Sequence, residues 1–454
     1  IPMMVKRGFS KVFAGGVEAA ASSGGSIMPP VMGVAAFILA SLTAVPYSSV
    51  IIAAIIPAAA YFFCLFLSAV FQSRKQNITA IGEITEDMIL NRQDYMNLAM
   101  IFGPILLILL LLLTAKDAVG CGLLGGLLGA ERVFTDAGCQ VQSLSWFQQA
   151  VQNAAGSAGA AGWWAVMLLL VLLFVDPEVR AKPRKIVDAM SNAGVLISTL
   201  YLMFLAVSII DFCLSFTGLP VFLALDVLEW LNSLNLGGGD GSVVFQFTAL
   251  LMTMLLAVLL GMGMPAVPAY INAALLMGPV LAGLGLSLFT AHMFIFSFAV
   301  ASAITPPVAL AACAAATITK AEPMATGFSA VKSGIVIFIV PFIFAFYPEL
   351  LLIDEAILDP QPTGGSLYLP GYDGEFNAAA LAVLLGRLVV ALYLVSSALS
   401  GFDRAPLATW EIATRLALAA LVMASVDIIW IGALIVALGL IFLNHRSRAH
   451  VETA

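Results

Sequence analysis

The sequence predicts an all-α, multi-span membrane protein assembled from inverted repeats, with two broken helices and a re-entrant hairpin. Three observations carry the prediction. Of the 454 residues, 62% are hydrophobic and 10% charged, with a mean hydropathy of +1.06. That is more apolar side chain than one water-soluble core could bury. Apolar runs such as 98–114, 163–175 and 334–353 lack the alternation of barrel strands and, with their flanks, reach the length of spanning helices. Finally, Ile27-Met-Pro-Pro-Val31 and Ile304-Thr-Pro-Pro-Val308 repeat one pattern, each preceded by small residues and followed by an Ala-rich segment.

Two consecutive prolines delete two backbone donors and free carbonyls, which is costly in lipid unless the opened backbone lines a cavity or binds something. Paired interruptions in the two halves of a chain point to a secondary transporter with its site between the broken helices. Two unrelated proline kinks are the plainer alternative.

The basic residues set the direction of each element. Lys6, Arg7 and Lys11 start the first broken segment in the cytoplasm, and it runs outward to about Ala44. Residues 48–71 return to Arg74-Lys75, and 72–97 read as a polar cytoplasmic connector or a helix lying at the interface, with the charge run a solvated face. Residues 98–114 lead out to 116–162, a structured surface excursion. Cys121 and Cys139 fall within it, on the side where a disulfide can persist; they either bridge or simply pack. Residues 163–175 come back to the basic loop 179–185, and 186–216 go out with Asp211 near the end, a membrane-boundary carboxylate rather than a proton relay. An amphipathic 220–236 ends in the flexible turn 237–241.

Residues 243–260 descend to Gly261-Met-Gly-Met-Pro265, where turning back suits the later charges better than crossing. The second broken helix, 288–318, then runs inward to Lys320, opposite in direction to the first. Residues 332–352 go out to a loop, 354–375, with five acidic residues and no Lys or Arg; 378–399 come in. A carboxylate at midplane is expensive, so 412–443 reads as two short helices turning near Asp427, with Arg446 and Arg448 holding the C-terminus in the cytoplasm. The expected divisions are 1–71 (remainder of the first repeat), 72–236 (connector and scaffold), 237–352 (second repeat) and 353–454 (C-terminal extension).

Unwound Gly/Ser backbone supplies carbonyls and hydroxyls without fixed negative charge, a donor set suited to Na⁺ as coupling ion. Ser22, Ser23, Gly24, Gly25 and Ser26 form one such cluster; Gly261, Gly263, Ser302, Ala303 and Thr305 form the other. Met262, Met264 and Pro265 at the hairpin, with Pro29, Pro30, Pro306 and Pro307, are the candidate solute-lining residues. Half-helix N-termini after the prolines can face an anion. Each Ser or Thr can equally well bond its own helix. Glu18 either balances a cation or arginine or marks the cytoplasmic helix end.

No cofactor is expected. Five Cys show no CxxC spacing and three His are scattered, which gives no metal site; nucleic acid is not a plausible partner. Gly327-Phe-Ser-Ala330 matches the GxSA pattern of intramembrane serine proteases, but Ser329 lies near a predicted cytoplasmic edge and lacks a later membrane-embedded His. A channel has no need of duplicated interrupted helices.

At Glu18–Met32, Gly261–Ile271 and Ala303–Ala309 the sequence resembles the TRAP (tripartite ATP-independent periplasmic) transporters, in the form of the fused permease, over about residues 1–352. The resemblance implies an elevator-type, Na⁺-driven importer in a bacterial or archaeal inner membrane. Its solute would be a small organic molecule, usually an organic acid, received from a periplasmic binding protein. It further implies fused small-subunit helices and a first re-entrant hairpin upstream of residue 1, an expectation with which the opening Ile1-Pro-Met-Met agrees. Residues 353–454 resemble an extension found in some fused members. A stand-alone Na⁺/dicarboxylate elevator carrier is the alternative.

Overall fold

The computed structural model describes residues 1–30, 32–78, 91–114, 119, 131–135, 138–143, 146–155, 157–218, 222, 226, 229, 233, 243–359, 367–370 and 372–451. Among these, 7 helices are long and apolar enough to cross a membrane, and the architecture is helical almost throughout. The chain divides into two compact units: residues 1–35, 52–80 and 207–454 in one, 36–51 and 81–206 in the other.

The smaller unit contains most of α3 (Val34–Thr43), then α5 (Arg92–Leu113), α7 (Ala158–Leu173), α8 (Pro177–Ala181) and most of α9 (Arg184–Thr217). α5 begins six residues before the predicted apolar run because Asn91 and Asp94 form a reciprocal capping box: the Asn91 side chain accepts from the Asp94 amide at 3.0 Å, and the Asp94 carboxylate accepts from the Asn91 amide at 2.9 Å. Its apolar body packs against α7.

The excursion between these helices carries one departure from a purely helical reading. β1 (Glu131–Thr135) and β2 (Gly138–Ser143) pair antiparallel, followed by amphipathic α6 (Trp146–Ala154). Val133-Phe-Thr135 and the alternating Gln140-Val-Gln142 favour strands on either side of a glycine-containing turn. Cys139 lies on β2, whereas Cys121, the 237–241 turn and most of 220–236 lie outside the described residues.

The larger unit positions the candidate site. α1 (Pro2–Lys6) leads to α2 (Lys11–Gly24), and α4 (Tyr47–Lys75) belongs here from Ile52 onward. α10 (Val243–Gly261) and α11 (Ala266–Gly283) pack on each other as a helical hairpin and together on α12 (Leu288–Ala301). After a 3-10 turn at Ser302–Ile304 come α13 (Leu310–Thr319), α14 (Pro323–Ser333) and α15 (Val336–Phe346). Phe294, Phe298 and Phe342 form the aromatic core between α12 and α15, with ring centroids 4.8 to 6.1 Å apart.

α2 packs against α13, α14 and the 302–304 turn. A Cβ on Gly16 would lie 2.5 Å from Ser329 Oγ and 2.9 Å from the Ala330 amide, so glycine alone permits this approach of α2 to the α14 backbone.

The last three helices are α16 (Ala378–Ser400), α17 (Thr409–Val422) and α18 (Asp427–Val451), joined by an apolar cluster that includes Leu394, Val395, Leu418, Val422 and Ala437. The chain turns at 423–426, and Asp427 opens α18 by accepting from Trp430 Nε1 at 2.9 Å, which is the expected division of 412–443. Arg387 on α16 donates to the terminal carbonyls of Val422 (2.9 Å) and Ala424 (2.6 Å) and stacks 4.9 Å from the Trp430 ring centre. Arg415, fully buried, pairs with Asp403 at 3.0 Å and donates to Ser397 at 2.6 Å; Tyr393 donates to the other Asp403 oxygen at 2.7 Å.

Candidate functional site

The second break is built by what its prolines cannot donate. Pro306 and Pro307 lack the N–H groups that would complete the helical bonds of Ser302 and Ala303. The Ser302 carbonyl is recaptured by the Thr305 amide at 3.2 Å, and that of Thr305 by Ala309 at 3.1 Å. The chain re-enters α13 through Ala309 in a left-handed conformation, φ 39°. Ser302 Oγ donates to Ala299 O at 2.7 Å and Thr305 Oγ1 to Ala301 O at 2.8 Å. Both hydroxyls therefore bond their own helix, with oxygen lone pairs left over.

The hairpin tip sits on this break. α10 ends at Gly261, where a Cβ would stand 2.6 Å from Ser302 Oγ and 2.7 Å from Ser302 Cβ. Gly263 reverses the chain at φ +81°, the Met264 amide bonds Gly261 O at 3.2 Å, and Pro265 opens α11. The predicted residues Gly261, Gly263 and Ser302 are thus brought together, with Met262, Met264 and Pro265 in the same turn.

The structure adds Asn272. Its side chain is 7% exposed, its Nδ2 faces Met264 Sδ at 3.8 Å, and its Oδ1 has no hydrogen-bond partner. A buried amide oxygen without a donor is an acceptor in need of an ion, a water or a polar ligand. The one sequence signal was a lone Asn in the apolar run 266–286.

The first break follows the same logic. Ser23 O accepts from Ser26 N at 3.0 Å, and Ser26 O from Gly33 N at 2.9 Å, closing the loop around Pro29 and Pro30. Gly24 is pressed against Tyr61, whose hydroxyl donates to Ala20 O at 2.8 Å. Ser23 is buried and Ser26 half-buried, whereas Glu18, Ser22 and Gly25 are exposed at helical spacing on one face of α2. The matching stretch of α12 is buried from Phe289 to Ala301, where the hairpin packs. Among the described residues Glu18 forms no ion pair.

Ser329 is wedged against Gly16, and His292, the histidine whose side chain is described, meets Tyr270 Oη at 2.7 Å through Nδ1. No Ser–His pair is present among the described side chains.

A family model described as "Tripartite ATP-independent periplasmic transporter, DctM component" matches residues 1–135 and 146–356, well over half of the chain, including both breaks and the hairpin. Comparison with curated proteins gave no match.

Proposed function

The chain belongs to the DctM component family of the tripartite ATP-independent periplasmic transporters, and on that premise we propose that it imports a small organic solute, an organic acid by class, in symport with Na⁺. It is a multi-span transporter component and not an enzyme. The proposal extends to its working parts: a periplasmic binding protein delivers the solute, small-subunit helices complete the permease, and the transport element moves as an elevator with the C-terminus in the cytoplasm.

One observation carries the reading. The hairpin tip rests on an oxygen-rich break beside a buried, unpartnered Asn272 oxygen. Gly261, Gly263, Ser302, Ala303 and Thr305, joined by Asn272, are suited to hold one Na⁺ through neutral oxygens; Ser22–Ser26 are the corresponding residues of the first repeat. The α13 N-terminus after Pro306-Pro307 supplies positive dipole to a carboxylate.

The deciding experiment uses the complete permease in proteoliposomes with an inward Na⁺ gradient. Uptake is expected only when the cognate binding protein is added outside. Robust uptake of free solute without it would replace this reading with a stand-alone Na⁺/dicarboxylate carrier.

A further inference from the structure

A cavity of about 280 Å³ lies at the first turn of α2, away from the first break. From Ser10 to Ser26 the chain is mostly helical, and at 1.5 Å per residue this separates the cavity from the first cluster by roughly 20 Å. Its walls come from four helices of the larger unit: Ser10, Val12 and Phe13 at α2, Ser68 and Gln72 on α4, Ser329, Lys332 and Ser333 on α14, and Ser396 and Ser400 on α16. Three of these walls lie within the residues matched by the family, whereas α16 lies beyond them.

Three of its serines are more than nine-tenths buried, Ser333 at 3%, Ser400 at 7% and Ser68 at 9% exposure, and none of their hydroxyls has a hydrogen-bond partner among the described residues. Helical serines ordinarily satisfy themselves on the preceding turn, as Ser297 and Ser302 do. Hydroxyls left unpaired around a void are donors awaiting a ligand. Lys332 stands exposed at the mouth without an ion-pair partner among the described residues, and no carboxylate lines the walls. Lys75 fixes one wall by donating to Ser400 O at 2.8 Å. The Ser10 cap leaves the first amides of α2 directed at the same end, adding positive dipole. The volume lies just under the range that envelops drug-sized ligands and suits a compact anion.

We propose that this serine-lined cavity binds a phosphate group, through the Lys332 ammonium and the Ser68, Ser333 and Ser400 hydroxyls, and so joins α16 to α2 and α14. The group comes either from free phosphate or from the headgroup of an anionic phospholipid at the basic membrane edge marked by Arg74, Lys75 and Lys332.

The test compares the purified full-length permease with Lys332→Gln, Ser333→Ala and the conservative Lys332→Arg. One arm titrates sodium phosphate against sodium chloride at equal ionic strength and equal Na⁺ and follows the melting temperature. The other counts phosphatidylglycerol retained from mixed phosphatidylglycerol/phosphatidylcholine nanodiscs by native mass spectrometry. A free-phosphate site predicts a saturable stabilisation by phosphate, at least tenfold weaker in apparent affinity in Lys332→Gln, weakened in Ser333→Ala and kept in Lys332→Arg. A headgroup site predicts one tightly retained phosphatidylglycerol that Lys332→Gln and Ser333→Ala lose, with no response to free phosphate. Wild type and both loss variants behaving alike in both arms would mean that water alone fills the cavity, and the proposal fails. Should Ser333→Ala not yield monodisperse protein, Ser68→Ala takes its place, and the mouth variant Lys332→Gln stands independently.

Discussion

Gly261 and Ser302 meet so closely that one methyl group decides whether the hairpin can seat on the break. Gly261→Ala is expected to insert normally yet reduce uptake at least tenfold, because the overlap, worth about 1–3 kcal/mol, falls on the seated state. Ser302→Gly in the same chain should restore part of the activity; a double variant no better than Gly261→Ala would show that the contact is not the cause. Ser302→Ala, Thr305→Val and Asn272→Leu should each raise the Na⁺ concentration for half-maximal uptake severalfold, and a variant whose Na⁺ dependence matches wild type drops out of the site. A pH test belongs to Tyr372, which donates to Glu349. Burial, and after it that bond, holds its phenol above its usual value near 10. The neutral phenol therefore contributes stability below pH 10 that is lost as pH rises toward the higher folded value. Melting temperatures between pH 9 and 12 should fall more steeply for wild type than for Tyr372→Phe; parallel slopes would refute the assignment. Glycine and proline made the two breaks legible, since their backbone chemistry is local. Asn272 and the cavity serines were not, because an unsatisfied group becomes visible only once its neighbours are known.

Each broken helix shows how far a pattern of residues determines an element. Pro-Pro sets where the helical bonds stop at both breaks, and the small residues before it let another helix come close. The start of α5 at Arg92 escaped a hydropathy reading because polar capping, rather than apolar content, extends it. The β1–β2 hairpin escaped for a related reason: strand preference in a five-residue segment is weak against a strongly helical background. The turn before α18 was legible because a charge at midplane is costly. What sequence did not disclose is that Arg415 and Asp403, separated by a loop and a helical turn, would meet with no exposure to solvent. Arg415→Met strands the Asp403 carboxylate and should destabilise by about 3–5 kcal/mol. The double variant with Asp403→Asn should melt above Arg415→Met alone. The reverse order in a thermal scan would show that packing, not charge, governs this joint.

Over the whole chain, composition and the apolar runs were enough for the class, a multi-span helical membrane protein. The division into two compact units was not legible, since it runs through the first broken helix, with α2 in one unit and most of α3 in the other. The second broken helix lies wholly in the larger unit, together with its hairpin. The proposed dependence on a binding protein would be a property of the assembled permease and is tested there. The close approach at Gly16 has a mechanical meaning within the larger unit. With a serine side chain and a peptide amide filling the space where a methyl would go, the seam between α2 and α14 has no slack for sliding. A displacement of α2 should then be passed to α14, whose Gly327 abuts the Pro306 ring, as through a lever arm, where a looser joint would absorb it.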